Sequence, residues 1–117
     1  MRTRPLFAAL AIMALAGCAA DPAPHEQLRL SEQALEQAKA VGATDEVAEL
    51  KLAEAKLARA RVNMSNESFR DARVRAEQAE LDARLAEARV LTAKSEEQLK
   101  VLQSRVDRLR KQLGEQQ

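Results

Sequence analysis

Beyond residue 24 the apolar positions of this chain recur every three or four residues, the spacing of one buried face on a helix. Leu28, Ser31, Leu35 and Ala38 form the first such row and predict a helix from His25 to Val41. Gly42 follows it as a residue suited to ending a helix. Leu50, Ala53, Leu57, Ala60 and Met64 form the second row and predict a helix from Thr44 to about Asn63. Thr44 is placed to cap it, with Asp45 and Glu46 at the positive end of its dipole. The short polar side chains of Asn63, Ser65, Asn66 and Ser68 then compete for backbone hydrogen bonds and predict a turn. Ser65 or Asn66 is the candidate cap of what comes next.

The third helix is expected from Glu67 to Leu113, ahead of Gly114. Its length is roughly 70 Å, at about 1.5 Å per residue. It carries two rows. Phe69, Ala72, Ala76, Ala79, Ala83, Ala86, Val90 and Ala93 make a small-residue row that lets neighbouring helices approach closely. Leu81, Leu85 and Ala88 begin another, which resumes as Leu99, Leu102, Val106, Leu109 and Leu113. Both keep the 3/4 spacing of left-handed bundles and coiled coils. The first two helices are each about as long as the first half of the third. The expected fold is therefore all-α: an antiparallel three-helix bundle over roughly 25–90 with a long, partly projecting C-terminal helix. Helix one would run parallel to helix three.

Composition agrees with this reading. Alanine, Glu, Gln, Leu, Lys and Arg dominate, and alanine is the strongest helix former of all. Such a core is thin: an Ala methyl yields about 0.8 kcal/mol on burial, against ~1.5–3 for a Leu side chain. Little apolar mass remains to enclose a ligand.

The stretch up to Pro24 follows a different pattern. Arg2 and Arg4 precede an apolar run from Leu6 to Ala16. That run is well short of the roughly 20 residues needed to span a bilayer as a helix. Leu15-Ala16-Gly17-Cys18 then resembles a bacterial lipobox, so residues 1–17 read as a lipoprotein signal peptide that is removed. In precursors of that kind the new N-terminal cysteine carries a diacylglycerol and its amine is usually acylated, which makes Cys18 the lipidation site. Cys18 is the single cysteine, so no disulfide forms within one chain. At about 0.8 kcal/mol per buried CH₂, two or three acyl chains hold almost permanently. Ala19 follows the cysteine and Asp21 comes only later, a pattern that in sorted lipoproteins implies the outer membrane and its periplasmic face. Residues 18–24 read as a lipidated tether, and 114–117 as a tail. Losing Arg2 and Arg4 takes the formal charge from +1 to −1, with no global pull toward nucleic acid.

Catalytic chemistry finds no support. His25 stands alone beside Pro24, so no metal site is expected, nor any cofactor beyond the lipid on Cys18. Carboxylates alternate with cations as on solvated helix faces, Glu77 with Arg73 and Glu80 with Arg84. Such pairs are worth about 0.2–0.5 kcal/mol each. There is no Gly-rich phosphate loop and no activated nucleophile.

The C-terminal charge is more informative. Between Gln98 and Leu113 stand Lys100, Arg105, Arg108, Arg110 and Lys111 against Asp107, a local charge of +4. Residues 26–97 carry 12 cations and 15 anions. With Leu99, Val106 and Leu113 at a and Leu102 and Leu109 at d, Arg105 falls at g and Arg110 at e. A parallel homodimer would set those two arginines against each other. Antiparallel self-pairing, an acidic partner helix or an anionic cell-wall polymer remain as partners.

The chain also resembles a family of small bacterial envelope lipoproteins, domain-of-unknown-function family 4398. Gly42-Ala43 precedes Val47-Ala48-Glu49-Leu50, Ser68-Phe69-Arg70-Asp71-Ala72 stands at the turn, and Ala76-Glu77-Gln78-Ala79 follows. The likeness covers about Leu28 to Leu91. Family members place a proline before Glu-Leu, absent here, and Gly-Asp-Tyr where this chain has Glu67-Ser68-Phe69. The resemblance implies a packing role for Phe69 at the turn and brings no activity with it. A likeness to the murein lipoprotein extends to a lipidated helix. It lacks the terminal lysine used for covalent linkage, since the sequence ends Gly114-Glu115-Gln116-Gln117. The expected function is a non-catalytic outer-membrane lipoprotein with a structural or scaffolding role in the envelope. The alternative is an adaptor that recruits an envelope protein, or contacts cell wall non-covalently, through the basic seam at 99–113.

Overall fold

The computed structural model describes residues 21–114. The signal segment, the lipobox and Cys18 lie outside the described residues. Three helices make up the rest: α1 (His25–Ala40), α2 (Ala48–Ser65) and α3 (Phe69–Gly114), with no strand among the described residues. The rows expected on the first two helices and the small-residue row of the third supply the buried faces. Ser31, Leu35 and Ala38 are buried on α1, with Ala34 beside them, and Leu28 is half-buried. Leu50, Ala53, Leu57 and Ala60 are buried on α2. Ala72, Ala76, Ala79, Ala83 and Ala86 are buried on α3, flanked by half-buried Phe69 and Val90. Ala93, expected to end that row, is exposed, in an open recess that it lines with Val47 and Ala48 at the start of α2.

Side-chain bridges set the register. Lys39 pairs with Glu54 at 2.9 Å and Arg61 with Glu32 at 2.8 Å, so α1 and α2 are antiparallel. Lys56 pairs with Asp82 at 2.6 Å and Arg89 with Glu49 at 2.9 Å, so α2 and α3 are antiparallel too. Between α1 and α3 the offset stays at 53: Gln27 donates to Glu80, and Lys94 Nζ donates to the Val41 carbonyl at 2.6 Å. Those two helices are parallel. Ser31, the one buried polar side chain on α1, donates its hydroxyl to the Leu28 carbonyl at 2.8 Å. It therefore enters the core already satisfied.

The helix ends differ in detail from the expected caps. Pro24 stands just before α1, and its carbonyl accepts the Leu28 N–H. Thr44 does not cap α2. It opens a turn in which its carbonyl accepts the Val47 N–H at 2.9 Å, so the helix begins three residues after Asp45, at Ala48. The extended backbone of Val47 makes the entry, with no side-chain cap. Ser65 and Asn66 likewise end α2 rather than begin α3, and the Ser68 carbonyl accepts the first α3 bond, from Ala72 N–H.

Both turns are the same device. After α1, Gly42 N–H bonds to the Lys39 carbonyl and Ala43 N–H to that of Ala38; after α2, Glu67 N–H bonds to Met64 and Ser68 N–H to Asn63. Each is the paired bonding of a Schellman motif, which needs a left-handed residue at its corner. Gly42 has φ of 102° and Glu67 has φ of 59°. Glycine takes that conformation freely, whereas a side chain there costs roughly 1–2 kcal/mol. Glu67→Gly is therefore expected to stabilise the bundle by about 1 kcal/mol, a rise of ~4–8 °C in Tm. Gly42→Ala should shift Tm the other way by a similar amount. Thermal melts followed by helical circular dichroism check both signs; a Glu67→Gly chain that melts lower contradicts the account.

Candidate interaction surface

Every residue from Leu91 to Gly114 is exposed. Lys94 closes the carbonyl end of α1, and α3 continues beyond it to Gly114. That arm extends about 30 Å past the bundle, at about 1.5 Å per residue. An isolated helix of that length is marginal in water because nucleation is costly. Here the packed half of α3 supplies the nucleus and the arm continues it.

Leu99, Leu102, Val106, Leu109 and Leu113 all lie on this arm and are open to solvent, Leu113 at 67 %. The structure brings them into one stripe and packs nothing on it. Lys100, Arg105, Arg108, Arg110 and Lys111 stand beside them, likewise exposed. Among the described residues the one ion pair of the arm is Arg110 with Asp107, at 3.8 Å. The stripe does not begin at Leu99. Leu81, at 66 %, and Leu85 are exposed on the bundled half of α3, in the same heptad phase. Two residues separate this row from the buried alanines, about 200° round the helix at roughly 100° per residue. The stripe thus faces away from α1 and α2. Val101 and Leu91 are also exposed, the first above an open groove with Glu97, Gln98, Leu102 and Arg105.

Elsewhere the polar surface is that of solvated helices. Arg84 pairs with Glu80 at 2.5 Å, as its spacing suggested, whereas Arg73 turns from Glu77 to donate to the Pro22 carbonyl at 3.4 Å. Hydrogen bonding to Arg29 holds the Glu26 carboxyl below its usual range, and bonding to Glu54 holds the Lys39 ammonium above its own. Both groups sit on the surface, Glu26 exposed and Lys39 at the edge of an open recess with Thr44 and Asp45. His25 is exposed at the start of α1. Among the described residues no cluster of His, Cys, Asp or Glu is placed to hold a metal ion. No described helix is long and apolar enough to cross a membrane.

A thin three-helix bundle carrying an uncovered heptad stripe is the class this geometry defines. The chain belongs to the DUF4398 family, a domain of unknown function, whose model matches residues 26–102. A crystal structure of a DUF4398 family protein from Pseudomonas aeruginosa PAO1 is similar to it at 67% identity, with a TM-score of 0.79 over 82% of this chain and 100% of that one. No curated protein matches the chain.

Proposed function

We propose that this chain is a non-catalytic outer-membrane lipoprotein, held by lipid on Cys18 at the periplasmic face, with a structural or scaffolding role in the envelope. The observation that supports it best is the parallel pairing of α1 and α3 at a constant offset of 53. That pairing puts the start of α1 and the exposed arm at opposite ends of one rod. A rod fixed at one end and uncovered at the other suits holding things together more than transforming a substrate. The +4 charge beside the leucine stripe favours a second reading, an adaptor that takes an envelope protein or contacts cell wall through the arm.

Two variants test the proposal. Cys18→Ala is expected to leave the outer-membrane fraction and appear in the soluble periplasm; if it still fractionates with the membrane, the anchoring claim fails. Truncation after Lys94 keeps the bundle and removes the arm. It is expected to strip the partners captured by crosslinking in intact envelopes, and an unchanged set would remove the arm from the function.

A further inference from the structure

With Leu85 taken as an a position, one heptad frame holds without a break from Leu81 to Leu113. Thr92 falls at a, and Ala88 and Ser95 at d. These small or polar positions lie between the two exposed leucine clusters, Leu81 with Leu85 and Leu99 through Leu113.

We propose that a second copy of this chain covers the whole stripe, antiparallel, in the register that seats Leu113 on the partner's Leu81. This deepens the reading of the arm as an interaction surface and rests on it. In this register Leu109 meets the partner's Leu85, and Val106 meets Ala88. Leu102 meets Thr92 and Leu99 meets Ser95, so no two polar layers coincide. The arm, 98–113, lies along 81–96 and covers the exposed leucines of the bundled half over their full length. Because the stripe faces away from α1 and α2, the partner helix does not collide with either.

Charge selects the same register. The arm, at +4, comes to rest on residues 81–96, whose three anions (Asp82, Glu87, Glu96) balance three cations (Arg84, Arg89, Lys94), so it avoids a second +4 arm. Arg110, at an e position, faces the partner's Asp82, also at e, twice per dimer; Asp82 holds Lys56 of its own chain through Oδ2, which leaves Oδ1 for the arginine. Pairing arm on arm instead would set +4 against +4 and leave Leu81 and Leu85 bare. A parallel pair would stack Thr92 on Thr92 and Ser95 on Ser95, and oppose Arg105 to Arg110. The register proposed carries one like-charge contact, Glu96 across the dyad from its own copy. Its dimer is a single rod with a tether at each end.

Single cysteines in the full chain, treated in intact envelopes with a short bifunctional thiol reagent, read the register directly. Glu96→Cys and Gln98→Cys flank the dyad and are expected to give dimers. Gln103→Cys self-links only in the arm-on-arm register, and Leu102→Cys only in a parallel pair, so both are expected to stay monomeric. In the Gln98→Cys background, Arg110→Glu should lower dimer yield about tenfold, as two attractive contacts become repulsive. Glu96→Gln should raise it. A parallel pair requires the opposite sign for Arg110→Glu. No dimer at 96 and 98, or a dimer at 102 or 103, overturns the proposal. If 96 and 98 fail while truncation after Lys94 still strips partners, the arm stands and the second copy falls. The parent chain, with Cys18 as its one thiol, reports separately on the anchor: reaction there counts against lipidation alone.

Discussion

Leu50→Ala is expected to lower the stability of the bundle by about 3 kcal/mol, the middle of the range for emptying a buried leucine site. The reason lies in how few large side chains the core contains. Among the described residues Leu50, 1 % exposed, is the largest fully buried hydrophobic side chain; Leu35 and Leu57 are the other buried leucines, and the rest of the buried hydrophobic core is alanine. Alanine neighbours have no rotamers with which to refill a cavity, so the lost contacts stay lost. A small domain holds only about 5–15 kcal/mol in all, and ~3 of these correspond to a fall in Tm of roughly 12–24 °C. Leu52 is the control. It lies two residues away on the same helix but is 50 % exposed. Leu52→Ala should therefore stay within about 0.5 kcal/mol of the parent. Urea titrations of the two variants decide the matter: equal midpoints would mean that α2 is not held by the face seen here.

The buried faces were legible in the sequence because 3/4 spacing is a local property that any window of eleven residues displays. Ala72 to Ala86 and Leu50 to Ala60 needed nothing else. The shift from one face of α3 to the other was equally visible, since the alanine row gives way to Glu97 and Lys100 where the leucine row resumes at Leu99. Helix ends were harder. Thr44 has the right chemistry for a cap, but its carbonyl closes a turn onto Val47 first, and local chemistry alone does not rank those two options. The turn at 66–68 was expected from its polar side chains, yet its left-handed corner falls on Glu67, a residue with no preference for it. The hydrogen bonds from Glu67 and Ser68 back into α2 impose that corner. Bridges such as Lys56–Asp82 depend on the register between helices, which no spacing within one helix reveals.

Ala83→Leu and Ala88→Leu add the same three carbons to the same helix five residues apart, and opposite results are expected. Ala83 has no exposed surface and belongs to the cluster formed with Leu35, Leu50 and Leu57. A leucine there must push α3 away from α1 and α2, and such overpacking costs about 1–3 kcal/mol at a single site. Extending the change to Ala79, its neighbour one turn back and 1 % exposed, forces the helices apart along two layers. The double variant Ala79→Leu with Ala83→Leu is therefore expected to lose cooperative unfolding, while α3 keeps much of its helicity because leucine is itself a good helix former. Ala88 lies on the exposed face, where an added leucine meets water in the monomer. Measured on the monomer, at a chain concentration too low for pairing, its urea midpoint should correspond to within about 0.5 kcal/mol of the parent. If Ala83→Leu were as harmless as Ala88→Leu, the alanine row would not be a close-contact seam. Its small residues would then reflect helix propensity alone, and the packing of α3 against the other two helices would need another explanation.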